Sequence, residues 1–309
     1  MSVQDEEKND ENRILIYEVG PRDGLQNEAR AVPADAKIRY VEALADAGLT
    51  RIEATSFVRP GVIPQLSDAH EVYTGITKRE GVRYIALTPN RKGMENGLAA
   101  GLQEGAIFTA ASESFTQKNI NATIAESIER FREVMELAGG ANIPVRGYVS
   151  TVVECPYEGR VPPEAVLAVC LELLELGVYQ VSLGETIGVA VPDDVSRLLD
   201  VLLKKIPPEK LAGHFHDTRG TALANVFRAI DCGLRIFDAS SGGLGGCPYA
   251  PGAAGNLATE DLVYALERSG FETGVDLSRL ARATAEIGLA LGREPAARAY
   301  LASKAGRKN

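Results

Sequence analysis

His214 and His216 stand two residues apart in the run LAGHFHDT, and the chain has only three histidines in all. Successive side chains of a β-strand point to opposite faces, so residues i and i+2 share one face. If this run is a strand, both imidazoles can grip one metal ion without a loop to organise them. The plainer reading is two strand histidines bonded to neighbours or water, because short motifs also arise by chance. Asp217 follows directly and tips the balance toward a metal site.

Far upstream, Gly20-Pro21-Arg22-Asp23-Gly24 has the composition of a turn. Taken alone, Asp23 could close that turn or cap a helix starting near residue 34. Beside two neutral imidazoles it becomes the natural anionic ligand, since imidazoles alone hold a hard divalent ion weakly. Arg22 would then lie one residue from a cation. Its guanidinium keeps its proton and can stabilise an oxyanion as it forms; a salt bridge is the alternative. Residues 242–256 are rich in glycine with two prolines and read as a flexible loop. Neither a Walker pattern nor GxGxxG fits there, which leaves little support for a phosphate cradle. Cys247 sits in the middle of this loop. An exposed thiol beside a cation can serve as acid, base or nucleophile, or it can be idle. Cys170 and Cys232 fall on apolar helical patterns and are expected in the core. Cys155 repeats the Cys-Pro-Tyr triplet with no physical reason visible in the sequence. His70, in QLSDAHEVYTGI, is expected to be helical and structural.

Elements must bring these residues together. Runs of β-branched and aromatic residues recur at 14–20, 51–56, 82–88, 106–112, 145–151, 178–185, 211–217 and 235–241. Between them lie stretches with apolar residues at three- and four-residue spacing, such as 36–48, 123–138, 162–177 and 222–233. Gly48, Gly177 and Gly233 stand where such helices would end. Strict alternation implies parallel strands with helices outside. The number of units favours an α/β fold of the (β/α)8 TIM-barrel type over a doubly wound open sheet. Helical patterns at 258–270 and 276–292 add C-terminal helices to it. No linker splits the chain, so residues 14–309 read as a single catalytic domain after a mobile acidic tail over 1–13. In this fold chemistry gathers where strands end. Glu18 and Arg22-Asp23, Glu53, Glu185, the histidine pair and the glycine-rich loop all fall there.

The 309 residues suffice for a large barrel, and 45% hydrophobic with 24% charged residues is the profile of a globular enzyme. The net charge of −9 and the absence of a basic stripe argue against a nucleic-acid partner. No secretory signal or membrane-length apolar run appears, and the C-terminal AGRKN is not a peroxisomal address. Four cysteines without a signal suggest free thiols in a reducing compartment, so a cytoplasmic location is expected.

Long runs of the sequence resemble the 3-hydroxy-3-methylglutaryl-CoA lyase family. They include EVGPRDGLQNE, TSFVRPGVIPQ, AASESFTQKNIN, SLGETIGV, HFHDT and GLGGCPYAPGAAGNLATEDLVY, in order and spanning about residues 14–292. The resemblance implies a metal-dependent Claisen-type lyase with Mg or Mn and an acyl-CoA substrate. It implies metal ligation by Asp23, His214, His216 and Asn256, catalytic roles for Arg22, Glu53, Glu185 and Cys247, and site positions for Glu18, Gln26 and Glu260. A homodimer is expected on the same basis, and breakdown of leucine is one pathway it would serve. Three positions depart from the family pattern: Glu185 replaces Asp, Arg219 replaces Tyr, and Gly61-Val62 replaces a Lys-Trp pair. All three are expected near the substrate, and the role of Glu185 as base or orienting group is left open. A Claisen-condensing synthase of the same superfamily is the alternative, although such enzymes often carry a regulatory domain for which 309 residues leave no room. A non-catalytic metal-binding barrel is disfavoured by Arg22, Asp23 and Cys247, and a zinc hydrolase by the oxygen-rich ligand set.

Overall fold

Each of the eight runs rich in β-branched and aromatic residues becomes one strand of a closed, parallel barrel. The computed structural model describes residues 12–59, 61, 63–245 and 255–306. Its barrel strands are β1 (Leu15–Glu18), β2 (Arg51–Ser56), β3 (Arg83–Leu87), β4 (Glu104–Ala110), β5 (Val145–Ser150), β8 (Val181–Glu185), β9 (Leu211–Phe215) and β10 (Ile236–Ala239). They close in sequence order, with β10 pairing back onto β1. Strand ends differ from the expected ones by a few residues, as ends usually do. A small antiparallel hairpin of β6 (Glu154–Cys155) and β7 (Gly159–Arg160) follows β5. The buried Cys155 thiol there accepts the Tyr157 N–H at 3.4 Å, which gives one of the two Cys-Pro-Tyr triplets a turn-closing role.

The helices are α1 (Ala34–Asp46), α2 (Ala69–Gly75), α3 (Arg91–Ala99), α4 (Glu113–Ile120), α5 (Ile124–Gly140), α6 (Pro163–Leu176), α7 (Pro192–Leu202), α8 (Ala222–Asp231), α9 (Thr259–Arg268), α10 (Leu277–Leu291) and α11 (Arg298–Gly306). Local chemistry starts and stops them. Thr123 and Glu126 form a reciprocal capping box on α5, and Asp276 accepts the Ser278 and Arg279 N–H groups at the head of α10. Gly48 takes φ +100°, and a Cβ there would lie 2.3 Å from the Gly274 carbonyl oxygen, so only glycine fits.

Strand parity divides the apolar residues into two layers. One face of each strand packs against the helices; Ile16, Ile52, Val149, Leu183 and Phe237 belong to this large core, with Leu44, Val72, Phe131, Leu173 and Val226 opposite. The other face fills the barrel interior with Tyr17, Ile85, Leu87, Ala106 and Tyr148. Among the interior side chains Glu104, Arg146 and Asp238 are also buried, which a purely apolar filling would not include. The extra helices pack onto the barrel, α10 lying against α1.

Two expectations are corrected. Asn12 and Arg13 are not tail: the Glu272 N–H bonds the Asn12 carbonyl at 2.9 Å, and Arg13 bridges to Glu272. Residues 1–11 of the expected tail lie outside the described residues. Cys232 is only partly buried, whereas Cys170 is in the core as expected. His70 is an exposed residue of α2. Among the described residues no helix is long and apolar enough to cross a membrane.

Candidate metal centre and active site

After β1 the chain makes a wide helical turn in which the Val19 carbonyl accepts the N–H groups of Arg22, Asp23 and Gly24. This turn holds Arg22 and Asp23 at the mouth of the barrel. His214 projects from β9, and His216 follows just beyond, where it bridges to Asn256. Ligand atoms of Asp23, His214 and His216 lie within 4.8 Å of one another. Asn256 joins them by donating its amide nitrogen to Asp23 at 2.8 Å and to the Leu244 carbonyl at 3.2 Å. Close approach is needed here, since a Cβ on Gly245 would lie 2.7 Å from that amide. Asp217 does not join the group. Its Oδ1 accepts the Ala222 N–H at the head of α8 and its Oδ2 pairs with Arg298.

The donor set suits a divalent cation: one carboxylate, two imidazoles and a neighbouring amide. Among the described residues the Nδ1 of His216 is buried with no hydrogen-bond partner, as a nitrogen reserved for such a ligand would be. Burial pushes the His216 pKa down to about 4, so this imidazole is neutral and able to ligate. Burial opposes ionisation of Asp23, but Arg22, His214 and Asn256 outweigh it and hold the carboxyl below its ordinary value.

Arg22 is fixed by two carboxylates. Its Nε donates to Glu53 Oε2 and its Nη1 to Asp23 Oδ1, each at 2.7 Å. Burial works against its charge, and the two carboxylates more than compensate, so it stays protonated. Arg22, Asp23, Gln26, His214 and His216 line a cavity of about 940 Å³. The exposed cations Arg59, Lys118 and Arg130 line the same cavity, as do Phe108, Phe115 and Tyr148.

Other expected site residues lie behind this surface. Glu53 does not line the cavity; it is sealed and acts on Arg22. Glu18 and Glu260 are also sealed. Glu18 accepts the N–H groups of Gly20 and Ser241 at 2.8 Å and the Thr259 hydroxyl at 2.7 Å. Glu260 accepts the Gly242 N–H and the Thr284 hydroxyl. Together they tie the end of β1 to the loop after β10. Burial raises Glu18 to about 8 and Glu260 to about 7. Glu185 faces away from the cavity, and its Oε1 accepts the Val189 N–H at 3.0 Å. Strand parity explains this: Ser182 faces the interior and Gly184 lines the cavity, which turns Glu185 outward.

Among the described residues, the departures from the family pattern also miss the cavity. Arg219 donates to the Ile187 and Gly188 carbonyls, so it and Glu185 hold the same 187–189 segment. Gly61 is exposed and does not line the cavity, and Val62 lies outside the described residues. Cys247 lies outside them as well. Sequence reading missed Asp238, Arg146 and Tyr148 and the cationic cavity residues. The signal was present in part, because Arg146 and Tyr148 share an inward parity within VRGYVS.

Fold and site together define a (β/α)8 barrel enzyme whose mouth can hold a divalent cation beside a carboxylate-fixed arginine. The chain belongs to the HMGL-like family, whose pattern matches residues 13–287. It is 53% identical over 268 residues to the mitochondrial hydroxymethylglutaryl-CoA lyase of Gallus gallus, covering 87% of this chain and 90% of that protein. The crystal structure of hydroxymethylglutaryl-CoA lyase from Pseudomonas aeruginosa superposes with a TM-score of 0.94 at 48% identity, over 96% of this chain and 98% of the other. An HMG-CoA lyase from Acinetobacter baumannii, solved with coenzyme A and 3-methylmalate, is similar at a TM-score of 0.90 and 40% identity, over 96% of each chain.

Proposed function

We propose that this chain cleaves 3-hydroxy-3-methylglutaryl-CoA between C2 and C3, giving acetyl-CoA and acetoacetate, with Mg or Mn as the bound cation. It is a carbon–carbon lyase by family. The observation that carries the reading is the convergence of Arg22, Asp23, His214 and His216 on one cavity. A cation held by Asp23, His214, His216 and Asn256 would supply Lewis acidity that makes the 3-hydroxyl easier to deprotonate.

The remaining steps fall to the protein. A base at the site takes the hydroxyl proton and leaves an oxyanion on C3. That oxygen collapses to the ketone of acetoacetate as the C2–C3 bond breaks, and the bond pair becomes the enolate of acetyl-CoA. Arg22 is fixed by Glu53 and Asp23, so its charge is in place before the reaction begins and costs no reorganisation. Cys247 is assigned the return of a proton to C2 on the family resemblance alone. Arg59, Lys118 and Arg130 supply positive charge for the phosphates of the CoA moiety at the same cavity. Glu185, with Arg219, anchors the segment after β8. A homodimer belongs to the same reading and is testable by sedimentation.

The direct experiment incubates purified protein and Mg or Mn with 3-hydroxy-3-methylglutaryl-CoA and measures acetyl-CoA and acetoacetate. Stoichiometric appearance of both supports the reading. No product from this substrate, with turnover of a larger 3-substituted analogue, moves the assignment to that analogue. No turnover of either refutes it.

A further inference from the structure

Beneath the histidine pair a polar layer crosses the barrel interior. Arg146 enters it from β5 with its side chain fully sealed. Interior positions of such barrels are normally filled by branched aliphatics, and a buried cation without partners is costly. Here every guanidinium nitrogen is engaged. Nη2 donates to Asp238 Oδ1 at 2.7 Å, Nη1 to the Tyr148 hydroxyl at 3.2 Å, and Nε to Gln180 Oε1 at 2.9 Å. The guanidinium carbon lies 3.9 Å from the centre of the Tyr17 ring. The second oxygen of Asp238 accepts the Ser182 hydroxyl at 2.7 Å and lies 3.2 Å from Nδ1 of His214.

A carboxylate is acceptor-only, so the nitrogen facing Asp238 must carry hydrogen. An imidazole with its proton on Nδ1 presents a lone pair on Nε2. Histidine ligands commonly donate their other ring N–H to a carboxylate in this way, which fixes the ring as well as the tautomer. The arrangement reaches from an arginine that never meets the cavity, through Asp238, to a residue that lines it.

We propose that Arg146 and Asp238 are positioning residues for the cation group: Arg146 fixes the Asp238 carboxylate, which accepts the His214 Nδ1–H and leaves Nε2 to the cation. This rests on the metal reading above and adds what selects the ligating nitrogen.

The decisive variant is Asp238→Asn. Arg146 can only donate, so it holds the amide oxygen, and the amide nitrogen turns toward His214. A donor there moves the imidazole proton to Nε2. Long-range proton–nitrogen NMR of 15N-histidine-labelled, metal-free protein, taken at alkaline pH where the His214 ring is neutral, reads the tautomer directly, with His70→Gln and His216→Gln assigning the three rings. His214 should carry Nδ1–H in the wild type and Nε2–H in Asp238→Asn. Mn affinity, measured by electron paramagnetic resonance, should fall about 10–100-fold in a variant that remains folded by circular dichroism. Excess Mn should restore much of kcat, with little change in KM for the acyl-CoA.

Arg146→Lys is the second variant and carries the test if Asp238→Asn does not fold. It keeps a charge on Asp238 but loses the fork, so the tautomer should persist with Mn affinity reduced several-fold. Nε2–H in the wild type, or folded variants with wild-type tautomer and Mn affinity, would overturn the proposal. Failure of the wild type to bind Mn while His214 holds Nδ1–H would instead remove the metal reading.

Discussion

Arg22 and Arg146 are both buried, both held by a carboxylate at 2.7 Å, and both lie near the Tyr148 ring. They differ in what remains after the protein has bound them. Arg146 spends all three nitrogens on the protein, and no part of it lines the cavity. Arg22 spends Nε and Nη1, while Nη2 has no protein hydrogen bond among the described residues and the side chain lines the cavity. An unspent donor facing a cavity is available to a substrate. A fully spent one shapes the groups around it. On the proposed reading the same residue type does chemistry in one place and alignment in the other, and the count of engaged nitrogens separates the two.

The proposed cation group touches Arg22 through Asp23 and Arg146 through His214 and Asp238, so removing it should have the largest effect. Asp23→Ala deletes the proposed anionic ligand and the partner of Arg22 Nη1. It should abolish metal-dependent turnover, as should chelation of the wild type, with Mg or Mn restoring activity only to the wild type. Wild-type rates in Asp23→Ala would remove this carboxylate from the site. Next come the arginines. Arg146→Met strands Asp238 in a sealed interior, and breaking a buried pair costs about 3–5 kcal/mol; urea denaturation would measure it. Arg22→Met leaves both Glu53 and Asp23 without their guanidinium, but Arg22 and Asp23 line the cavity and water can enter the space vacated. Its main loss should be in kcat, roughly 10²–10³-fold, with smaller change in the urea midpoint. Equal stability losses in the two variants would erase the distinction between them.

Much of this was legible in the sequence because it rests on local pattern. Eight β-branched runs separated by helical periods fix the strands to within a few residues. The His214/His216 spacing works because strand parity is a local property. Parity could also have removed Glu185 and Glu18 from the cavity, since Ser182 and Tyr17 face inward beside them. The Arg146–Asp238 pair was not legible. Its partners are 92 residues apart, and only closure of the barrel with β10 beside β9 sets them level. The hairpin at 154–160 was missed because two-residue strands are too short to show a period. Arg219 was read as a substrate-facing departure because sequence reveals the change of residue type but not where the side chain turns. In the fold it joins Glu185 on the backbone of 187–189.

The smallest effect sharpens the comparison from the other side. Arg22 and Arg146 are buried charges with counter-charges, whereas Glu18 and Glu260 are buried carboxyls held, among the described residues, by hydroxyl and N–H donors. Burial raises them to about 8 and about 7. The folded protein therefore keeps protons that the unfolded chain releases above about pH 4.5. Their contribution to stability is fully present below that pH and is lost as pH rises toward 8. Each group can tilt the curve by at most about 1.4 kcal/mol per pH unit. Glu260→Gln keeps an oxygen for the Gly242 N–H and removes one titration, so its decline in stability between pH 5 and 8 should be shallower. Urea midpoints across that range provide the measurement. Parallel curves for wild type and Glu260→Gln would mean that this carboxyl is ionised in the fold at neutral pH, and that N–H and hydroxyl donors alone can do for it what a guanidinium helps to do for Asp23 and Asp238.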